Sequence, residues 1–361
     1  WFSYAGTDGK MARTVSVSGK KGGTHTMVKI MKMILASGLV AIMAAAFPGQ
    51  SQAEGLKLQL ATGYGAKIPM NHVFKYLLAP RIEEYSDYRI ETDVQQENKL
   101  CSEHKCVEQA KLGQIDIGSS SAGNLGAFGQ AFDTNFLPFL FSTDAFAMKV
   151  LDISHSDGWY GKELAQRARE EMELHLLMSV MGGGFRSLEN SVREVRVPKD
   201  LKGIKIRVTK SPVEFTMIKA WGATPVPYDW GQLYEGLQSG VVQGMYIPHL
   251  YTALRKFHEV TPFVTETGGG MVTLNVVMSA KRYDGLPDYA KAAIDRVASE
   301  AHWESWTVDR MGTQKAIAIL ESQEKIYRPT QPELDLWAAA APSSWTKLKG
   351  RYRPETVTRL L

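Results

Sequence analysis

The sequence has no excess of charge of one sign once its N-terminal part is set aside. Of 361 residues, 42 are Lys or Arg and 38 are Asp or Glu, which gives a formal net charge of +4. Residues 1–54 account for this surplus, so residues 55–361 are formally neutral. Nucleic-acid backbones bind proteins through clustered Lys and Arg, and residues 55–361 contain no such tract. The composition therefore argues against nucleic acid as a partner.

Long apolar runs are also missing, except for one short stretch near the N-terminus. From Met27 a basic segment leads into apolar residues 33–47 and then to Ser51-Gln52-Ala53. A membrane-spanning helix needs about 20 apolar residues, whereas this three-part pattern is typical of a secretory signal peptide. We predict a signal peptide over 27–53, cleaved after Ala53. Residues 1–26 are interpreted as a non-native or upstream tail, and a genuine polar N-terminus is the alternative.

Cysteine is scarce, with only Cys101 and Cys106. Export would bring this pair into an oxidising compartment, where two cysteines tend to form a disulfide. Because the Cα atoms of a disulfide lie within about 7 Å, Cys101 must precede a helix that has Cys106 in its first turn. The polar residues 102–105 fit that arrangement, and we predict the disulfide. A metal site that adds His104 is the alternative, but the sequence offers it no second cluster of ligands.

Catalytic motifs are absent as well. The sequence contains no G-x-x-x-x-G-K loop, no G-x-G-x-x-G after a predicted strand, and no G-x-S-x-G elbow around Ser120. Its eight histidines are dispersed, without an H-x-x-x-H pair. We expect neither a metal nor a cofactor, and no enzymatic activity. Catalytic groups need not be close in sequence, so an enzyme stays an alternative.

What the sequence does contain is an alternation of strand and helix patterns. Strands are predicted at 56–60, 88–94 and 115–118, with helices at 72–85 and 106–113 between them, and a second series begins near 174. This order predicts an α/β fold with a largely parallel sheet. Such sheets bind ligands beyond the carboxyl ends of their strands, which places Tyr64 and Ser121 at a candidate site. An ordinary turn is the alternative for the serine run.

Arg207 interrupts an apolar strand pattern, residues 204–208 (I-K-I-R-V). A buried guanidinium is costly unless it is paired. A ligand carboxylate can pair with it through two parallel hydrogen bonds. The alternative is that Lys205 and Arg207 form the solvent face of a half-buried strand.

Several segments together resemble one family. Residues 200–208 (D-L-K-G-I-K-I-R-V) resemble the D-L-K-G-x-K-I-R-V segment of TRAP-type (tripartite ATP-independent periplasmic) solute-binding proteins, the DctP-like family. Residues 221–227 are similar to its G-A-x-P-x-P segment, and 233–244 to its V-Y-x-A-L-Q-x-G-V-V-D-G segment. The pieces at 111–116 and 137–141 (L-P-F-L-F) match too. The resemblance covers essentially all of 55–340.

The resemblance implies a periplasmic binding protein with two α/β lobes, crossing hinge strands and a ligand cleft between the lobes. Lobe I is expected at 55–183 plus 270–309, and lobe II at 184–269 plus 310–361. The implied protein is a periplasmic monomer that delivers a small organic acid to the membrane subunits of a TRAP transporter. The resemblance also implies roles for four residues: Arg207 holds the ligand carboxylate, and the cleft is lined by Arg186, Trp230 and Ser121.

One departure from the family bears on the ligand. Where relatives for sialic acid and sugar acids have Q-E-N-P, this chain has M-Y-I-P, so Ile247 replaces a carboxylate-binding asparagine. Tyr246 and Asn275 are the candidate replacements. The side chains of Ile247, Tyr246 and Trp230 favour an aromatic or branched monocarboxylate; packing of both aromatics in the core is the alternative. Alternative functions are an ABC-importer or sensor-coupled binding protein, or an exported enzyme with a hinge cleft.

Overall fold

A computed structural model describes residues 55–65, 67–323 and 326–361. The predicted tail at 1–26 and the predicted signal peptide at 27–53, with its cleavage site, lie outside these residues. Across the described ranges, no helix is long and apolar enough to cross a membrane.

Strands and helices alternate through the first two thirds of the chain, and helices predominate at the end. The strands are β1 Leu56–Ala61, β2 Ile90–Gln95, β3 Ile117–Ser121, β4 Leu174–Asn190, β5 Lys205–Val208, β6 Thr224–Pro227, β7 Gly244–Pro248, β8 Phe263–Thr265, β9 Met271–Ser279 and β10 Ile326–Tyr327. The α-helices are α1 Pro69–His72, α2 Ala79–Tyr85, α3 Glu103–Lys111, α4 Ala122–Leu125, α5 Asp144–Leu151, α6 Trp159–Met172, α7 Pro212–Ala220, α8 Leu233–Gln238, α9 His249–Leu254, α10 Ala280–Asp284, α11 Asp288–Glu321, α12 Gln331–Lys347 and α13 Pro354–Leu360. A π-helix, Val73–Leu78, joins α1 to α2, and short 3-10 helices form at Asp133–Phe136, Pro198–Leu201 and Phe257–Glu259.

The strands are hydrogen-bonded in the order β2-β1-β3-β9-β4-β7-β5-β6, and β8 pairs with β4 and β10. β1 is parallel to β2 and β3, and β5 is parallel to β6 and β7. β9 runs antiparallel to β3 and β4, and β4 runs antiparallel to β7. The strands of the first predicted series, β1, β2 and β3, are parallel as predicted. The sheet as a whole is mixed, because β4 and β9 run against their neighbours.

β4 is a long strand that belongs to both halves of the sheet. Its residues 174–185 pair with β9, and its residues 186–190 pair with β7. The strand that opens the second series near 174 does not stop at the glycine triplet 182–184, because Gly183 and Gly184 adopt φ of +86° and +82° within a register shift against β9. A bulge of this kind bends a strand without ending it. The predicted boundary between the lobes, 183/184, falls on this bulge.

The long helix α11 packs along the sheet. Its buried residues recur every three or four positions and so form one face; they include Ala290, Ala293, Ile294, Val297, Ala298, Ala301, His302 and Ser305. Asp309 continues this face and accepts hydrogen bonds from the main-chain N–H of Gly183. One helix thus supports the sheet and fixes the bulge of β4.

Candidate ligand-binding cleft

A small cavity of about 30 Å³ lies where strands of both halves of the sheet meet. Five of the seven predicted ligand-binding residues line it, namely Tyr64, Ser121, Arg186, Arg207 and Trp230. Seven further residues complete the wall: Glu103, Thr209, Ile247, Pro248, Tyr251, Val272 and Leu274. Residues that are up to 210 positions apart in sequence, Tyr64 and Leu274, thus converge on one cavity.

Arg207 is buried in the wall of this cavity. Its side chain is 4% exposed, while Lys205 on the same strand is exposed, so Arg207 does not lie on a solvent face. The Nε–H group donates to the main-chain oxygen of Tyr228 at 3.0 Å, and no acidic side chain of the described ranges forms an ion pair with the guanidinium. Burial lowers the pKa of Arg207, and the Glu214 and Glu103 carboxylates act in the opposite direction. A buried cation without a counter-ion is suited to an anionic ligand.

Arg186, by contrast, has a counter-ion within the protein. Its Nη1 lies 3.2 Å from Oε1 of the buried Glu214 and also donates to the main-chain oxygen of Tyr246. The guanidinium lies over the ring of Phe136, 4.8 Å from its centroid. Glu214 also accepts from the main-chain N–H of Thr209 at 2.7 Å. The charge of Arg186 is therefore neutralised before any ligand binds.

Three aromatic residues bring hydrogen-bond donors to the cavity. The Tyr251 hydroxyl and the Trp230 indole N–H are buried and have no hydrogen-bond partner among the described residues, whereas the buried Tyr64 hydroxyl lies beside the Glu103 carboxylate. Burial raises the pKa of both tyrosines well above the ordinary value, with a smaller contribution from the Glu103 carboxylate, so both hydroxyls keep their protons. Buried polar groups are normally satisfied. Together with Arg207, these donors suit a ligand carboxylate, whose two oxygens can accept several hydrogen bonds.

Glu103 brings a carboxylate to the same cavity. It is the first residue of α3 and lies between Cys101 and Cys106, which form a disulfide with their Cα atoms 5.1 Å apart. Its Oε1 accepts from the main-chain N–H of Ser121 at 2.6 Å. The ring of His104 stacks on the ring of Phe128 and does not form a metal site with the two cysteines. Within the part of the chain that the structure describes, no group of His, Cys, Asp and Glu is arranged to hold a metal.

The structure places Tyr246 and Asn275 outside this cavity. Side chains alternate along a strand, so the lining residue Ile247 leaves Tyr246 on the opposite face, where its ring packs edge-on against Trp221 at 5.4 Å. Asn275 likewise follows the lining residue Leu274, and its Oδ1 accepts from the Ser179 hydroxyl at 2.7 Å. Neither side chain replaces the missing asparagine at Ile247, and the cavity wall there is apolar.

Two other cavities adjoin these residues. One of about 110 Å³ shares Glu103, Arg207 and Trp230 with the first and extends it toward the exposed Lys210. The other is larger, about 710 Å³, and its walls come from β4, α9, α11 and α12. Of the seven predicted residues it contains only Arg186. The cavity of about 30 Å³ is the candidate ligand site, despite its size, because Arg207 and the partnerless donors of Tyr251 and Trp230 line it.

A serine, a histidine and a glutamate meet beside the larger cavity. Ser187 Oγ and Glu266 Oε1 each lie 3.0 Å from His249 Nε2. A catalytic triad uses both ring nitrogens, one toward serine and the other toward the acid. Here both partners contact the same nitrogen, so the trio does not have the arrangement of a triad.

Comparison with known proteins agrees with this architecture. Residues 65–350 match the sequence model of bacterial extracellular solute-binding protein, family 7 (DctP). The 2,3-diketo-L-gulonate-binding periplasmic protein of Escherichia coli K12 is 30% identical over 59% of this chain and 60% of its own length. The ectoine-binding periplasmic protein of Halomonas elongata is 26% identical over 64% of this chain and 65% of its own length. The chain thus spans about three fifths of the first of these relatives.

Solved structures show the same fold. The sugar acid binding protein of Advenella mimigardefordensis, in complex with galactonate, superposes with a TM-score of 0.77 at 22% identity and covers 85% of this chain and 97% of its own. A TRAP periplasmic solute-binding protein of Sulfurospirillum deleyianum with bound succinate gives a TM-score of 0.75 at 20% identity, over 85% and 98% of the two chains. The predicted two-lobe periplasmic binding protein fold is confirmed. The chain belongs to family 7 of the bacterial extracellular solute-binding proteins, the DctP family of TRAP transport systems.

Proposed function

We propose that this protein captures a small organic acid in the periplasm and delivers it to the membrane subunits of a TRAP transporter. The observation that carries the proposal is Arg207, a buried guanidinium without an acidic partner in the described part of the chain, at the wall of a cavity. A planar guanidinium holds a carboxylate through two parallel hydrogen bonds. Relatives that are named for binding diketogulonate, galactonate and succinate support an acid as the ligand.

The proposed mechanism is capture by closure of two lobes, 55–183 plus 270–309 and 184–269 plus 310–361. A cavity of about 30 Å³ has room for only about two water molecules, so the lobes must separate before a ligand can bind. The ligand then stabilises the closed form because it contacts both lobes only in that form. We propose that the monomer acts without catalysis, after removal of a signal peptide at 27–53.

The apolar part of the wall favours a ligand with an aromatic or branched body. Ile247, Val272 and Leu274 contribute aliphatic surface, and Trp230 contributes an aromatic face. None of the three aliphatic side chains can bond a sugar hydroxyl, and a polyhydroxy acid would lose hydrogen bonds to water against them. We therefore propose a monocarboxylate as the ligand rather than a sugar acid.

Calorimetric titration of the Arg207→Ala variant tests the proposal. The acid used as probe is the one that stabilises the wild-type protein most in a thermal-shift screen of aromatic, branched and polyhydroxy acids. We expect binding at least about 100-fold weaker than in the wild type, because the variant loses a buried charge-assisted contact. Lys205→Ala, an exposed change on the same strand, is the matched control and should bind normally. Near-native affinity of Arg207→Ala would refute the role of Arg207, and stabilisation by polyhydroxy acids alone would refute the apolar ligand.

A further inference from the structure

The ligand cavity contains an acidic side chain as well as a basic one. Glu103 is 7% exposed and Arg207 is 4% exposed, and both line the cavity. Across the described ranges neither of them has an oppositely charged group within ion-pair distance, and they do not pair with each other. The remaining cavity cation, Arg186, is neutralised by Glu214. The empty cavity therefore has one unpaired positive and one unpaired negative group.

The hydrogen bonds of Glu103 do not require its charge. Its Oε1 accepts from the main-chain N–H of Ser121 at 2.6 Å and from the Ser120 hydroxyl at 3.3 Å. The amide oxygen of a glutamine could accept both bonds at much lower desolvation cost, since a buried charge is far more expensive than a buried neutral amide. The first turn of α3 favours an acid through the helix dipole, but this effect is small against the cost of burying a charge. A structural role therefore explains the acceptor better than it explains the carboxylate.

A simple monocarboxylate leaves this charge pattern unbalanced. When its carboxylate binds Arg207, the cavity holds the ligand anion and Glu103 together in a medium that screens their repulsion poorly. A ligand that also has a cationic nitrogen removes the repulsion and gives Glu103 a partner. The rings of Trp230, Tyr64 and Tyr251 line the same space and can favour a cation through their faces.

We propose that the ligand is a zwitterion of the amino-acid type, whose carboxylate binds Arg207 and whose cationic nitrogen binds Glu103. This inference rests on the proposed function, because it assumes an acid held by Arg207. Glu103 begins α3 in the proposed lobe I, and Arg207 lies on β5 in the proposed lobe II. Each charge of the ligand then contacts a different lobe, so a zwitterion stabilises the closed form more than a monocarboxylate of the same body.

Matched pairs of ligands test the inference by calorimetry. Each pair is an amino acid and the acid that lacks its amino group: alanine and propanoate, leucine and 4-methylpentanoate, phenylalanine and 3-phenylpropanoate, tryptophan and indole-3-propanoate. We expect the wild-type protein to bind the amino acid of at least one pair about tenfold or more tighter than its partner. In Glu103→Gln the preference should fall to within about threefold, with the deaminated acid bound no more weakly than by the wild type. Glu108→Gln, an exposed change in the same helix, should keep the wild-type preference.

The outcomes separate this inference from the proposed function. Equal or tighter binding of the deaminated acids by the wild type overturns the zwitterion and leaves the proposed function intact if Arg207→Ala still abolishes binding. An unchanged preference in a Glu103→Gln protein with a wild-type circular dichroism spectrum overturns the role of Glu103. If Glu103→Gln does not fold, the binding of each amino acid and its deaminated partner by the wild-type protein still decides whether the ligand is a zwitterion. Binding of no member of the panel overturns the zwitterion, and the thermal-shift screen with the Arg207→Ala titration then decides the proposed function separately.

Discussion

The main-chain N–H of Gly183 donates to both carboxylate oxygens of Asp309, at 2.9 and 2.8 Å. This contact ties the bulge of β4 to α11 at the point where the strand passes from one half of the sheet to the other. Burial raises the pKa of Asp309 to about 8. Burial likewise raises the pKa of Glu189, farther along β4, to about 8. Two carboxyl groups in this region are therefore protonated in the folded protein near neutral pH.

These two groups predict a loss of stability as the pH rises. In the unfolded chain they ionise near pH 4, whereas in the folded protein they hold their protons to about pH 8. The folded state binds more protons across this interval, so the free energy of unfolding falls with increasing pH, by at most about 1.4 kcal/mol per pH unit for each group. Urea unfolding at several pH values between 4 and 8 gives the free energy of unfolding. This free energy should fall less steeply with pH in Asp309→Asn and in Glu189→Gln than in the wild type. The exposed change Asp288→Asn should leave the slope unchanged; an equal slope in all variants would contradict the prediction.

The close packing of Thr209 and Phe136 against Gly123 predicts a variant whose lobes cannot close. A Cβ atom at this position would lie 2.5 Å from Thr209 Oγ1 and 2.6 Å from the ring of Phe136. In the proposed division, Gly123 belongs to lobe I and Thr209 lines the cavity from lobe II. An added methyl group in Gly123→Ala should therefore keep the two lobes apart. We expect at least about tenfold weaker ligand binding and a smaller ligand-induced decrease in the radius of gyration by X-ray scattering. Gly285→Ala, whose Cβ meets only ordinary contacts, is the control, and equal behaviour of the two variants would refute the steric explanation.

The disulfide should affect both stability and binding. Replacing Cys101 and Cys106 together with serine opens a short loop, which costs about 2 kcal/mol in the chain-entropy treatment. Because Glu103 lies within this loop, we also expect weaker binding of the ligand. Chemical unfolding and calorimetry of the double variant measure the two effects, and reduction of the wild-type protein should reproduce both. A loss of stability with unchanged affinity would show that the loop does not position Glu103 for the ligand.

The position of Ile247 in the cavity wall predicts how the ligand specificity can be changed. The side chain of Ile247 lines the cavity, at the position where the family resemblance implies an asparagine. Ile247→Asn adds a donor and an acceptor there, so binding of polyhydroxy acids such as galactonate should strengthen relative to that of apolar acids. Ile247→Leu keeps the wall apolar and is the control. Parallel titrations that give the same order of affinities in Ile247→Asn and the wild type would argue against this position as a determinant.

The sequence allowed much of the fold to be predicted but only part of the cleft. The segment around Arg207 carried the family resemblance, and through it the two-lobe fold. Tyr246 and Ile247 are neighbours on one strand, and which of them faces the cavity depends on the pairing of β7 with β4 and β5, which motifs do not reveal. A shift by one residue exchanges the two faces of a strand. The same reasoning applies to Asn275 and Leu274 on β9.

Glu103 was missed for a different reason. It lies in a polar insert between two cysteines, and such inserts are usually exposed loops. Its burial depends on Ser121, eighteen residues away, and on Arg207 and Trp230 from the distant part of the chain. The role of the glycine triplet in β4 is likewise not visible in the sequence, because the need for positive φ appears only when β9 and Asp309 surround it. Both features are set by long-range packing.

The position of β9 between β3 and β4 has a consequence for the order of folding. β3 ends at residue 121, but its antiparallel neighbour begins at residue 271. During synthesis, β1, β2 and β3 must therefore wait for about 150 further residues before the strand that joins them to β4 exists. Closing so long a loop is slow, since its entropy is lost before the pairing is gained. We expect the insertion of β9 to set the folding rate, and the chain to remain open and extensible until that step.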